Sequence, residues 1–181
     1  RDIGRDALAT IEARRYDLPG IEVNVRLLRH YVHNGMAAHV LGYLGEISPA
    51  ELQCDIFAGC RSGDLVGKVG VEQSFEQYLR GERGGRQVEV NASGQVVRVL
   101  RTVPAQNGNN VFLTIDAHLQ RRAEELLAGY AGAAVAVDPA TGDVLALASS
   151  PTFDQNDFIT GMSKDQWGAL VSNPLRPLEN K

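Results

Sequence analysis

Two β-hairpins constrain the fold of this chain more than any other feature of its sequence. Residues 86–100 alternate polar and apolar side chains on both sides of a turn at 91–94, a pattern typical of antiparallel strands. Residues 133–137 and 144–148 are apolar runs joined by a turn with proline early and glycine late. Because helical patterns surround these antiparallel pairs, the sequence predicts an α+β fold.

Helices are expected before and between the hairpins. Residues 3–15, 71–80 and 116–128 carry apolar side chains at helical spacing, and Gly81 stands where the second segment should stop. In the second and third segments we expect the apolar side chains to face inward. They are Val71, Phe75, Tyr78 and Leu79 in the second segment, and Leu119, Ala123, Leu126 and Leu127 in the third.

Capping residues indicate where several helices begin. Ser48 with Glu51, and Ser163 with Gln166, have the spacing of a capping box, in which each side chain bonds the other residue's backbone N–H. Asp116 stands at the N-cap position of the third helical segment. The sequence therefore predicts helix starts near these three positions.

A polar stretch at 102–110 is the best linker in the chain, since it contains one proline, one glycine and no long apolar run. We therefore expect two units, residues 1–108 and residues 109–181. The remaining segments with a regular pattern are a period-two strand at 21–28, an apolar helix-compatible stretch at 36–44 and a short strand at 111–115.

Composition excludes several classes of protein. The 181 residues include 18 Lys and Arg against 22 Asp and Glu, a net charge of -4, which argues against a chain that coats nucleic acid. The longest apolar run, at 130–137, is too short to span a bilayer. We expect no signal peptide at the start of the chain. Because the first residue is Arg1, we expect the chain to be a piece of a longer protein.

The histidines do not suggest a metal site. His30 and His33 lie three apart in a strand-like stretch, where their side chains would point to opposite faces. His39 lies in an apolar segment and is expected to be a hydrogen-bonded core or turn residue. His118 is expected on the solvated side of a helix. The motifs H-E-x-x-H, G-x-x-x-x-G-K-[ST] and G-x-G-x-x-G are absent from the sequence.

The acidic residues and cysteines also carry no clear chemistry. Glu124 and its neighbour Glu125 are expected on a solvated helix face, and Asp154 and Asp157 are expected in turns and caps rather than at a cation. The two cysteines, Cys54 and Cys60, have no zinc-site spacing. They either form a local disulfide or remain as two unrelated free thiols.

Several motifs in a fixed order resemble the class B penicillin-binding proteins. The signature of the dimerisation (pedestal) domain is matched by His39-Val40-Leu41-Gly42-Tyr43, by Gly67-Lys68-Val69-Gly70-Val71-Glu72, by Phe75-Glu76 and Leu79-Arg80-Gly81, and by the hairpin residues Glu89-Val90-Asn91 with Gly94 and Val97-Arg98. The beginning of the transpeptidase domain is matched by Leu113-Thr114-Ile115-Asp116 with Leu119-Gln120, by Ala136-Val137-Asp138-Pro139 with Thr141-Gly142, and by Val144-Leu145-Ala146 with Ser150-Pro151 and Asp154.

The closing stretch resembles the approach to the active site in the elongation-type members of this family. It contains Asp157-Phe158, Gly161-Met162-Ser163, Trp167, Leu170, Asn173-Pro174, Pro177-Leu178 and Asn180-Lys181. The division-type members share the Gly-x-x-Gly-x-Glu and Asp-Pro-x-Thr-Gly motifs. Lys68 and Trp167 favour the elongation type.

The resemblance implies a serine acyltransferase that uses the motifs S-x-x-K, S-D-N and K-T-G. The residues three positions before the three lysines are Leu65, Gly161 and Leu178, so S-x-x-K is absent from this chain, as are S-D-N and K-T-G. The family's nucleophile would lie beyond Lys181. We therefore assign no catalytic, cofactor-binding or metal-binding residue, and we expect no cofactor.

The resemblance also sets what we expect of the protein's role. Residues 1–108 would form the pedestal domain, and residues 109–181 would form the truncated beginning of a transpeptidase domain. The intact enzyme would cross-link peptidoglycan and react with β-lactams on the periplasmic side of the bacterial inner membrane, held by an anchor outside this chain. The alternative is an interaction module that docks glycan-polymerising and cell-shape scaffold proteins.

An incomplete catalytic sheet should leave apolar surface uncovered. Val135, Val137, Val144 and Leu147 would pack against strands and helices that this chain lacks. We therefore expect exposed apolar side chains near residues 111–150, or self-association that covers them.

Overall fold

A computed structural model describes residues 3–14, 17–18, 21, 28–92 and 96–181. The helices are α1 (Arg5–Ala13), α2 (Ala38–Leu41), α3 (Gly70–Ser74), α4 (Glu76–Leu79), α5 (Ala117–Leu127), α6 (Gln155–Thr160) and α7 (Lys164–Ser172). The strands are β1 (Leu44–Glu46), β2 (Leu65–Gly67), β3 (Gly85–Val90), β4 (Val96–Val103), β5 (Gly132–Val137) and β6 (Val144–Ser150).

The described strands form three antiparallel pairs. β1 pairs with β2 so that Leu44 faces Gly67, and β3 pairs with β4 so that Gly85 faces Val103. β5 pairs with β6 and joins Gly132 to Ser150. Helices lie between these small sheets, so the predicted α+β class is confirmed, as are the hairpins expected at 86–100 and 133–148.

The apolar core of the residues before the linker at 102–110 forms around β1 and β2. Ile47, Phe57 and Val66 are buried against one another, and Cys60 packs against them. The capping box between Ser48 and Glu51 is present, but it begins a single 3₁₀ turn, Glu51–Gln53, rather than a longer helix.

The β5–β6 hairpin buries two alanines of β6 and exposes two valines of β5. Ala134 faces Ala148 and Ala136 faces Ala146 across the pair, and Ala146 and Ala148 are fully buried where α5 contacts β6. Alanines allow this helix to approach the strand closely. The side chains on the opposite face have little cover, since Val135 is 60% exposed and Val137 is 50% exposed.

The apolar surface expected near residues 111–150 is therefore confirmed. Phe112 is 92% exposed, and Leu126 on α5 is largely exposed as well. Val144 and Leu147, which were expected to share this surface, are half-buried.

Helix starts follow the capping residues. The Asp116 carboxylate accepts hydrogen bonds from the backbone N–H groups of Leu119 and His118, and these bonds lower the pKa of Asp116. Ser163 and Gln166 form the predicted capping box at the start of α7, whose C-cap is Asn173. Both predictions are confirmed.

Three predicted elements differ from the structure. The strand expected at 111–115 is not formed among the described residues. Thr114 Oγ1 donates a side-chain bond to the Val144 carbonyl, and the Asp116 N–H just after the stretch donates an isolated bond to the Leu145 carbonyl. The helix expected at 71–80 is divided into α3 and α4 at Phe75, whose φ of -112° is not helical. The helix-compatible stretch at 36–44 contains only the single turn α2.

Some predictions concern residues that the structure does not describe. Most of the strand expected at 21–28 lies outside the described residues, and so does the tip of the turn at 91–94. Among the described helices, none is both long and apolar enough to cross a membrane.

We expect the ion pair between Glu51 and Lys68 to make the free energy of unfolding depend on pH. Glu51 Oε2 lies 2.6 Å from Lys68 Nζ and also accepts two bonds from Ser48, and these contacts lower the pKa of Glu51 from 4.5 to about 2. A carboxylate with a lowered pKa in the folded state stabilises the fold above its unfolded pKa. This contribution should therefore be complete above pH 4.5 and should disappear as the pH falls toward about 2.

The measurement is urea unfolding of the unaltered chain and of Glu51→Gln. The variant should be less stable at about pH 6, and the difference should shrink at about pH 2. Glu46→Gln replaces an exposed carboxylate nearby and serves as the control. A stability loss in Glu51→Gln that is the same at both pH values would contradict this account of the pair.

Candidate functional site

A network of polar contacts joins residues that come before the linker at 102–110, the first part of the chain, to residues that come after it, the second part. We call it the junction. It is formed by Tyr31, Gly35, Ala37 and His39 from the first part, and by Gln120, Glu124, Phe153, Gln155, Asn156 and Pro177 from the second.

A side-chain amide takes the place of a neighbouring strand at Tyr31. Asn156 Oδ1 accepts a bond of 3.0 Å from the Tyr31 backbone N–H, and Asn156 Nδ2 donates a bond of 3.0 Å to the Tyr31 carbonyl. The neighbouring Gln155 is fully buried and accepts a 3.0 Å bond from the backbone N–H of Gly35. Because a buried backbone group without a partner costs free energy, these amides allow the loop before α2 to pack against α6.

Gln120 does the same at the edge of β6. Its Oε1 accepts a 2.8 Å bond from the Leu147 N–H, and its Nε2 donates a 3.0 Å bond to the Leu147 carbonyl. Nε2 also lies 2.7 Å from Glu124 Oε1, which in turn accepts a 2.7 Å bond from the Ala37 N–H. A chain of hydrogen bonds therefore connects the β5–β6 hairpin to the loop before α2.

Aromatic rings fill the space beside these hydrogen bonds. Tyr43 stacks on Phe158 with ring centroids 4.0 Å apart, and Phe153 meets His39 edge to face at 5.2 Å. Trp167 meets Phe158 edge to face at 6.2 Å. Aromatic pairs in these geometries stabilise a fold by more than the apolar area that they bury. The rings therefore help to hold α6 and α7 against the end of α2.

His39 links α2 to the end of the chain. Its Nε2 lies 2.8 Å from the Pro177 carbonyl, so this nitrogen carries the proton and donates the bond. Burial lowers the pKa of His39, against the opposing effect of the Pro177 bond. The prediction of a hydrogen-bonded core or turn residue is confirmed.

Two glutamates, not apolar residues, form the buried side of α3 and α4. Glu72 accepts a 2.9 Å bond from the Tyr31 hydroxyl and a 3.1 Å bond from Arg29, while Glu76 accepts a 2.7 Å bond from the Gly67 N–H. Burial raises the pKa of Glu76, and burial together with the adjacent Glu72 raises the pKa of Tyr31.

The expectation that Phe75 and Tyr78 face inward is therefore wrong. Both rings are exposed, because the buried donors around β2 and Tyr31 need the carboxylates of Glu72 and Glu76 as acceptors. Val71 and Leu79, the other two residues expected inward, are half-buried.

Glycines in the motifs at 39–43 and 67–72 allow backbone segments to come into direct contact. A Cβ added at Gly42, which has a φ of +81°, would lie 1.9 Å from the Val69 carbonyl oxygen. A Cβ at Gly67 would lie 2.2 Å from the carbonyl oxygen of Glu72. The Gly42 contact places the His39–Tyr43 motif directly against the Gly67–Glu72 motif, and the Gly67 contact closes the second motif on itself. A side chain is excluded at both positions.

The remaining candidate residues have ordinary structural roles. Asp154 caps α6 by accepting a bond from the Asn156 N–H, as expected of a cap, and His118 is exposed. Cys54 and Cys60 are free thiols, so the disulfide alternative is not formed. Among the described residues, no group of three or more His, Cys, Asp or Glu side chains is placed to hold a metal ion.

Two expectations for α5 are wrong. Glu124 was expected on a solvated face, but it is half-buried in the junction, whereas Glu125 is exposed beside Arg122. Leu119 and Leu126, which were expected to face inward, are exposed, while Gln120 is fully buried. The edge of β6 needs donors and acceptors more than it needs apolar contacts. A glutamine within an apolar helical pattern was the available signal.

Comparison with known proteins identifies the family. Residues 1–113 match the family model described as the penicillin-binding protein dimerisation domain, and residues 132–180 match the one described as the penicillin-binding protein transpeptidase domain. The chain belongs to the penicillin-binding protein family. The resemblance found in the sequence is thereby confirmed.

Relatives of known name match most of the chain. Peptidoglycan D,D-transpeptidase MrdA of Acinetobacter baumannii is 39% identical over 177 residues, which cover 96% of this chain and 26% of the relative. MrdA of Escherichia coli K12 is 38% identical over 178 residues, which cover 96% of this chain and 28% of the relative. The chain therefore spans about a quarter of the length of these relatives.

Solved structures agree with this assignment. Penicillin-binding protein 2 of Helicobacter pylori, in complex with MreC, superimposes with a TM-score of 0.80 at 31% identity, covering 99% of this chain and 33% of that chain. Penicillin-binding protein 2 of Pseudomonas aeruginosa, in complex with WCK 5153, gives a TM-score of 0.67 at 36% identity, covering 86% and 31%. The chain is thus homologous to penicillin-binding protein 2 and combines a dimerisation domain with part of a transpeptidase domain.

Replacement of Gln120 should show how much its side-chain amide contributes to the stability of the fold. Gln120→Ala leaves the N–H and carbonyl of Leu147 without their side-chain partner and should lower the free energy of unfolding by about 1–3 kcal/mol. Gln120→Met fills the same space without hydrogen bonds and should restore little of this loss. Urea unfolding measures both.

The control is Arg121→Ala, on the exposed side of the same helix, which should stay within about 0.5 kcal/mol of the unaltered chain. Full recovery of stability in Gln120→Met would show that volume, not hydrogen bonding, is what Gln120 contributes.

Proposed function

We propose that this chain is the supporting part of a peptidoglycan D,D-transpeptidase and does not catalyse by itself. The intact enzyme cross-links cell-wall peptides on the periplasmic side of the inner membrane and reacts with β-lactams. The names of the MrdA relatives support this activity. The sequence supports the absence of catalysis, since S-x-x-K, S-D-N and K-T-G do not occur in it.

The junction is the observation that carries this proposal. Asn156, Gln155 and Glu124 on the transpeptidase side bond the backbone of the first part at Tyr31, Gly35 and Ala37. Specific bonds to backbone groups hold the two parts in one orientation. We propose that residues 1–108 act as a pedestal that sets the position of the transpeptidase part, which begins at residue 109.

A fluorescent penicillin tests the lack of catalysis. The chain should form no stable adduct, because acylation requires a serine whose proton a nearby lysine can manage. In the described structure, Lys68 is instead paired with Glu51, and Lys181 Nζ bonds the Leu175 carbonyl. Intact-mass spectrometry after incubation should show only the unmodified chain.

Full-length MrdA of Acinetobacter baumannii, treated in the same way, should gain the mass of one penicillin and serves as the positive control. An acyl adduct on the present chain, localised to one of its own serines by peptide mapping, would refute the proposal that this part is inactive.

A second candidate function is docking of partners by the pedestal. We propose that the chain binds a cell-shape scaffold protein, and that glycan-polymerising proteins are further partners. The solved complex of Helicobacter pylori penicillin-binding protein 2 with MreC supports the scaffold partner. The strand β4 is exposed along its whole length and offers apolar side chains for such contacts.

Biolayer interferometry tests this function, with the extracytoplasmic part of MreC from the bacterium that produces this chain as the partner. We expect reversible binding that Val97→Asp, on the exposed side of β4, weakens at least about tenfold. Val171→Asp, on α7, makes the same change at a similarly exposed valine and serves as the control. Light scattering should be run first, since the uncovered β5–β6 face favours self-association. Absence of binding by a monomeric, folded chain would argue against the docking function.

A further inference from the structure

A cleft with aromatic and amide walls lies beside α4 and shares no lining residue with the junction. Its volume is about 310 Å³, at the lower end of the range usual for small-ligand sites, and its lining consists of Phe75, Tyr78, Asn109, Asn110 and Val111. None of these five side chains is charged. The motifs assigned to the pedestal and to the transpeptidase part leave Tyr78, Asn109 and Asn110 without a role.

The backbone around this cleft is held in place from several sides. The Asn109 N–H donates a 2.7 Å bond to the Tyr78 carbonyl, and two 2.9 Å backbone bonds join Glu82 to Gln106. A Cβ added at Gly108 would lie 2.1 Å from the Leu79 carbonyl oxygen, so the linker runs directly against the end of α4. The backbone beneath the cleft is therefore in place before any ligand arrives, which lowers the cost of binding.

The walls of the cleft offer two kinds of contact. Phe75 is 39% exposed and Tyr78 is 60% exposed, and their ring centroids lie 6.3 Å apart with the planes tilted by 55°. Asn109 and Asn110 are exposed beside them, and each carboxamide can donate and accept hydrogen bonds. A ligand that fits has apolar faces for the rings, and neutral donors and acceptors at its edge.

An N-acetylated sugar has this combination, because its ring presents C–H faces while its hydroxyl and acetamido groups donate and accept hydrogen bonds. From the juxtaposition of Phe75 and Tyr78 with Asn109 and Asn110, we propose that the cleft binds an N-acetylated glycan. The natural ligand would be the glycan strand of peptidoglycan, and this identification alone rests on the proposed function. The pedestal would then hold the strand whose peptides are to be joined.

The test uses the whole chain and the tetramer of N-acetylglucosamine, chitotetraose, in isothermal titration calorimetry. We expect weak, reversible binding that Tyr78→Ala lowers at least about tenfold and Asn110→Ala lowers severalfold. Tyr78→Phe keeps the ring and should keep most of the affinity. Tyr130→Ala removes a similarly exposed tyrosine just after α5 and should change nothing.

Cellotetraose, which has hydroxyl groups in place of the acetamido groups, should bind more weakly than chitotetraose. The proposal is overturned if chitotetraose does not bind at millimolar concentration, if Tyr78→Ala binds as well as the unaltered chain, or if cellotetraose binds equally well. Circular dichroism confirms that each variant is folded. Penicillin labelling is measured separately, so a failure of the glycan proposal is distinguishable from a failure of the proposed function.

Discussion

Side-chain amides that satisfy backbone groups are the interaction on which the described structure depends. Asn156 bonds both backbone groups of Tyr31, and Gln120 bonds both backbone groups of Leu147. In each case a side chain does what a neighbouring strand would otherwise do. The small sheets described in this chain have two strands each, so their edges and the adjoining loops need such partners before they can be buried.

Close packing of backbones brings these hydrogen-bonding groups within reach of one another. Gly42 lets the turn after α2 lie on the segment between β2 and α3, and Gly67 lets β2 lie on α3, because a side chain at either position would collide with a carbonyl group. With the backbones this close, Glu72 and Glu76 replace water as the acceptors for Tyr31 and Gly67. The buried acids of this region are therefore structural: they hold the pedestal together and do not point to a reaction.

Local features of the fold were predictable because neighbouring residues determine them. The hairpin at 133–148 follows from its apolar runs and its turn, and the starts of α5 and α7 follow from Asp116 and Ser163. The family was also accessible, since its motifs occur in order along the chain. The inward faces of the helices were not, because apolar periodicity assigns Phe75 to the core and overlooks Gln120.

The sequence by itself determined the α+β class, the starts of α5 and α7, and the family. Periodicity and capping depend on residues that are close together in the chain, and the order of the motifs can be read along it. Only the tertiary structure decided that Glu124 belongs to the junction and that Phe75 and Tyr78 are exposed beside Asn109. The physical reason is that a buried backbone group takes whichever donor or acceptor folding brings to it, often from residues far away in the chain. Such partners leave no periodic pattern in the sequence.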